Sequence, residues 1–258
     1  RTGRRTRRAR SDQAAHAAQP RQAGCGLMPL PEGWQAAPWC EPLRAAAGRL
    51  PPQGSMAERL NASGWAPRRF VPQAALPEGE AYEAFIHRSG QVPTRDNLHD
   101  AFNGLMWLSE PAIKTRLNAL QAAAIAAEGV QARRGPLRDA LTLFDENGAW
   151  WPDCPAPIAQ AWRHRDWTAM FRTHRALWPA SRPRLFGHAL LEQLAVAPRK
   201  GLCAHVLLAD PLQLGAADWA AKPFLPLPVL GVPGWWPANE APGFYDDPAV
   251  FRPLKSPA

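Results

Sequence analysis

The sequence has 258 residues, of which 46% are hydrophobic and 20% charged, and a formal net charge of +8. This composition excludes a wholly disordered chain, and the length suffices to bury a core without staples. There is no run of about eighteen apolar residues, so no membrane-spanning helix is expected. The four cysteines (Cys25, Cys40, Cys154, Cys203) form no CxxC pair, which argues against a disulfide scaffold or a cysteine-based zinc knuckle.

The basic charge is unevenly spread. Residues 1–27 hold seven arginines against one acid, Asp12, so a nucleic-acid partner is suggested by the leader rather than by the remainder. The first Met is Met28, and the expected natural start lies there, with 1–27 a basic disordered leader and 28–258 a single globular domain.

Short helices are expected over 41–49 and 55–63, separated by Pro51-Pro52. Pro67, Pro72 and Pro77 make the next stretch extended. The run from Ala81 to Val92 is too short for periodicity to choose between strand and helix. The clearest helix covers 96–108, with Leu98, Phe102, Leu105 and Met106 on one face and Asp96 or Thr94 as cap. Ser109 is the expected cap of a second helix that has Pro111 in its first turn and Gly129 as its stop. Leu141 to Phe144 reads as a strand, Asp145 to Gly148 as a tight turn, and Trp150-Trp151 as the start of the return strand. Helices are expected over 157–164, 166–178 and 184–196, and a strand over 201–210. The tail from Pro223 is rich in proline and aromatics and is expected to wrap the body.

Four ordered blocks carry a resemblance. They are Pro93-Thr94-Arg95-Asp96-Asn97-Leu98-His99-Asp100 with Phe102-Asn103, Trp107, Lys114 and Asn118; Arg134-Gly135 with Arg138 to Gly148; Phe186 to Glu192; and Gly231 to Trp236 with Asn239, Phe244 to Asp247 and Phe251 to Pro253. Together they resemble a bacterial family of unknown function, domain-of-unknown-function family 3025. The resemblance implies a proteobacterial, cytoplasmic protein. It brings no established activity and no catalytic residue to carry over.

Four constellations could carry chemistry. His99 and Asn103 lie four apart on one helix face beside Asp100, a spacing that suits a shared ligand or metal. Their bland reading is that they fix the helix to its loops. Arg138 and Asp139 with Asp145, Glu146 and Asn147 suit a divalent metal or a general base, and equally a plain turn. His188 precedes Glu192 by four, a pairing that would orient the imidazole. Trp235 and Trp236, presented by Gly231, Pro233 and Gly234, could stack on a partner or close over the core. No dinucleotide fingerprint, phosphate loop, nucleophile elbow or HExxH occurs.

The expectation is therefore a helix-rich α+β domain with a few short strands and an irregular C-terminal wrap. Its best-supported function is metal-assisted hydrolysis in a polar cleft, with phosphodiesters as candidate substrates. The catalytic candidates are His99, Asp100, Asp145 and Glu146. The binding candidates are Asn103, Arg138, Asp139, His188, Trp235 and Asn239; the cofactor is left open, with a divalent metal as the candidate. The alternative is a non-enzymatic binding or scaffold protein using a Trp-rich surface.

Overall fold

The computed structural model describes residues 30–129 and 135–254; the basic leader lies outside them. The fold is helix-rich α+β, as the sequence implied. Ser55 begins α2 (Met56–Ala62) with a full capping box, exchanging hydrogen bonds with Glu58. Before it, 3-10 turns over Trp34–Ala36 and Pro38–Leu43 lead into a one-turn helix, α1 (Arg44–Ala47). Strand β1 (Arg69–Pro72) pairs in parallel with β2 (Gln91–Thr94). The ambiguous stretch between them is a helix, α3 (Tyr82–Ser89), closed by Gly90 at φ 69°.

Helix α4 (Leu98–Ser109) is capped by Asn97, whose side chain accepts from the Asp100 amide at 2.7 Å, rather than by Asp96 or Thr94. Asp96 instead accepts from the Met56 amide and so serves the start of α2. Helix α5 (Pro111–Glu128) has Glu110 at its cap position and no side-chain cap; Ser109 does not fill that role. Gly129, at φ 72°, follows its last residue as expected.

The expected strand over 141–144 is the main error. Residues Pro136–Asn147 form a helix, α6, followed directly by β3 (Gly148–Trp150). Pro136 starts it without loss of a ladder bond, and Leu137, Ala140, Leu141 and Phe144 recur at helical spacing. Asn147-Gly148 therefore ends a helix instead of turning a hairpin.

The remaining elements are α7 (Ala156–Arg163), β4 (Arg184–Leu185), α8 (His188–Val196), β5 (Cys203–Leu207), α9 (Ala216–Ala220) and β6 (Leu225–Pro228). The expected helix over 166–178 is a π turn followed by a 3-10 turn. A four-stranded sheet has the order β4-β3-β5-β6, with only the β3–β5 pair parallel. Helix α6 packs on α5, α8 and α9, and α4 packs on α8.

The tail wraps as expected. Trp167, Phe171, Trp178, Tyr245 and Phe251 form a stacked and edge-on aromatic cluster that holds it down. The Tyr245 hydroxyl donates to the Gly231 carbonyl at 2.8 Å, and the Trp167 indole donates to the Arg252 carbonyl.

Candidate functional site

Five helices surround one polar cavity of about 460 Å³. Helix α6 contributes Arg138, Thr142, Asp145 and Glu146, spaced four, three and one apart, which a 3.6-residue period puts on one face. Helix α4 contributes His99, Asp100 and Asn103; α3 contributes Tyr82 and Glu83; α5 contributes Gln121 and Ile125; α8 contributes His188. Seven of the ten residues singled out in the sequence thus share this cavity, drawn from segments that are remote along the chain.

The wall is held by a buried cation. The Lys114 ammonium, on α5, donates to Asp145 Oδ1 at 2.6 Å and to Asn103 Oδ1 at 2.8 Å. Asn103 then donates to the Tyr82 hydroxyl at 3.2 Å. Burial alone would raise the Asp145 pKa, but the Lys114 charge, the His188 ring and the Lys114 hydrogen bond outweigh it and hold the carboxyl below its ordinary value. Burial, followed by nearby acids, pushes the Tyr82 phenol well above its ordinary value, so it stays neutral. Asp100 is also buried, with both oxygens engaged: Oδ2 accepts from the Arg95 amide and Nε, and Oδ1 from Arg95 Nη2.

Two imidazoles meet at the cavity wall. His188 Nδ1 lies 2.7 Å from the Asp145 carbonyl, one of the last four carbonyls of α6, which have no partner within the helix. A carbonyl only accepts, so His188 Nδ1 carries a proton. Burial pushes the His188 pKa down to about 4, so the ring is neutral at pH 7 and its Nε2 is a bare acceptor. That Nε2 stands 3.1 Å from His99 Nε2, which must therefore donate. On its other side His99 Nδ1 lies 3.2 Å from Glu192 Oε2. The pattern is complete when His99 carries both protons, forming a Glu192–His99–His188–Asp145 chain. The expected His188–Glu192 pairing is thus replaced: Glu192 serves His99, and the end of α6 serves His188.

The other residues fall into two groups. Arg138 is buried, and its Nε and Nη1 have no hydrogen-bond partner among the described residues. Glu146 is half-buried, and its side chain makes no hydrogen bond or ion pair among the described residues. Asp139, Trp235 and Asn239 do not line the cavity. Asp139 is exposed and paired with Lys222. Asn239 is buried in the tail, donating to the carbonyls of Leu230 and Val232 and accepting from Arg175. Trp235 is buried, and Trp236 packs against Trp39.

Sequence reasoning missed Tyr82 and Glu83 because α3 was ambiguous, Thr142 because 141–144 was read as a strand, and Arg95, Gln121 and the anchoring role of Lys114 because their partners are remote along the chain. Among the described residues, no three His, Cys, Asp or Glu side chains are arranged to hold a metal ion. Cys40 and Cys154 are pushed up to about 12 and Cys203 to about 11 by burial, so none is a ready thiolate. No helix of the described residues is long and apolar enough to cross a membrane.

Neither a curated protein nor a solved structure matches the chain. A family model described as "Protein of unknown function (DUF3025)" matches residues 68–218 and 207–255, the span that contains the whole cavity, and the chain belongs to that family.

Proposed function

We propose that the cavity is an acid–base site for hydrolysis of a small ester, with phosphodiesters as the substrate class. The observation that carries the reading is the Nε2–Nε2 contact of 3.1 Å between His99 and His188, set in the wall of a polar cavity. Positioned histidines are the commonest proton-transfer groups in enzymes. His99 is the catalytic residue of the proposal. His188, Glu192, Asp145 and Lys114 position it, and Asp100 fixes the start of α4.

The step balances on protons alone. The oxygen of a water attacks phosphorus, and the bond from phosphorus to the leaving oxygen breaks. The His99–His188 pair gives its shared proton to that leaving oxygen and recovers one from the attacking water. The metal of the sequence expectation is left out, because among the described residues no three donors are arranged to hold one. A Trp-rich docking surface gains no support, since Trp235 is buried.

The test is turnover of bis(4-nitrophenyl) phosphate and 4-nitrophenyl esters, with and without a chelator, by the full chain. Turnover that resists chelation and falls by roughly a hundredfold in His99→Ala supports the proposal. Equal rates in the variant, or no turnover by folded protein across the panel, overturn it.

A further inference from the structure

Arg138 is costly where it stands. Its side chain is buried, with 9% of the residue exposed, and two of its three guanidinium nitrogens have no hydrogen-bond partner among the described residues. Buried arginines are normally paired, because a guanidinium stripped of water and left unmatched destabilises the fold. No salt bridge reaches Arg138 among the described residues. The other cations of the wall are committed: Lys114 to Asp145 and Asn103, and Arg95 to Asp100. Among the described residues, Arg138 is the cavity-lining arginine left over, and it lines the same helix face as Thr142, Asp145 and Glu146.

We infer that Arg138 is the oxyanion-binding residue of the cavity, and that the ligand carries a phosphoryl or carboxylate group toward which the side chain turns to offer its unused donors, since Nε and Nη1 are closed to solvent where they stand. Both groups present acceptor oxygens that match the guanidinium fork, and such charge-assisted bonds are among the strongest that a side chain makes. Burial raises their strength further, since water does not compete in the wall of a cavity. The inference deepens the proposed function by naming the charged group of its substrate, and it rests on the same cavity. It does not rest on proton transfer at His99. Arg138 thus keeps a destabilising placement for the sake of a ligand, a trade found where function and stability compete.

The experiment uses the full chain, with inorganic phosphate, phenyl phosphate and benzoate as probes, each titrated at constant ionic strength against sodium chloride. Thermal unfolding and calorimetry follow wild type, Arg138→Met, Arg138→Lys and His99→Ala. Wild type should show a saturable rise in Tm with an oxyanion, because a ligand that binds only the native state stabilises it. Arg138→Met should lose that rise, and Arg138→Lys should weaken binding by about tenfold or more, since a lysine cannot reproduce the planar fork. His99→Ala should keep the rise, even if hydrolysis itself fails its own test. A response to phenyl phosphate alone or to benzoate alone identifies the source of the oxyanion.

A second readout guards against misfolding. Without ligand, Arg138→Met should be at least as stable as wild type, because it removes an unmatched buried charge. The Arg138 Nε–H resonance should also shift on phosphate or benzoate addition to wild type. Three results overturn the inference: no saturable binding of any oxyanion to wild type, an equal response in Arg138→Met, or a lower Tm of ligand-free Arg138→Met, which would mark Arg138 as a structural cation.

Discussion

The Nε2 atoms of His99 and His188 face each other at 3.1 Å, and only one of the two can hold the proton between them. The choice is made elsewhere. The Asp145 carbonyl fixes the His188 proton on Nδ1, at 2.7 Å, so His99 is the donor. A long-range 1H–15N spectrum at pH 6 to 7 should show His188 as a neutral ring with its proton on Nδ1. Finding His188 protonated on Nε2 alone would break the chain of donors.

The same burial predicts how stability depends on pH. His188 is held at about 4 in the fold, against about 6.5 in an unfolded chain. Between those values the unfolded state binds the proton that the folded state refuses. Stability is therefore complete above about pH 6.5 and falls as pH drops toward 4, by roughly 3 kcal/mol at most. Asp145, whose pKa is also lowered in the fold, adds a loss in the same direction as pH falls further into the carboxylate range. Urea unfolding at pH 4.5, 5.5, 6.5 and 7.5 should show this slope, and His188→Gln should flatten it. A wild-type stability independent of pH over that window would contradict the burial argument.

Much of this arrangement was legible in the sequence, and the reason it was incomplete is specific. Helix α4 declared itself through Leu98, Phe102, Leu105 and Met106, so the placing of His99 and Asn103 on one face followed. The stretch Leu141–Phe144 is apolar and short, and ends in an Asn-Gly pair that suits a hairpin equally well. Read as a strand with a turn after it, it leaves Arg138 ahead of the strand and Asp145 in the turn, with no shared face. As a helix it puts Arg138, Thr142, Asp145 and Glu146 on one. The deciding signal was Pro136, a residue suited to the first turn of a helix. Long-range partners were not legible: nothing in the spacing of His188 and Glu192 says that Glu192 reaches a histidine on another helix.

Lys114 should be the most sensitive polar residue of the wall. Its ammonium is buried and is shared by Asp145 and Asn103. Lys114→Met leaves the Asp145 carboxylate buried without its cation, and should cost about 3 to 5 kcal/mol in urea unfolding. Adding Asp145→Asn should recover much of that loss, since the stranded charge is gone. If the double variant is as unstable as the single one, the ammonium acts through its contacts over the Trp107 and Phe186 rings rather than through Asp145.

Gly187 tests how His188 is seated. The carbonyl of Gly148 accepts from both the Phe186 and Gly187 amides, at 2.9 and 2.8 Å, and this draws the start of α8 onto the end of α6. The approach is so close that a Cβ on Gly187 would lie 2.5 Å from the backbone N and Cα of Asn147. Its φ of −59° is open to any residue, so the demand for glycine is steric and not conformational. Gly187→Ala must push α8 away from backbone atoms that have no rotamer to escape through. It should cost about 2 kcal/mol or more. Displacing α8 also lengthens the His188 hydrogen bond to the Asp145 carbonyl, so the His188 tautomer should become mixed in the 1H–15N spectrum. Gly201→Ala is the control, since a Cβ there meets open space and should leave stability and spectrum unchanged. Equal behaviour of the two variants would mean that the two helix ends are not pressed together, and that the histidine contact is held by other means.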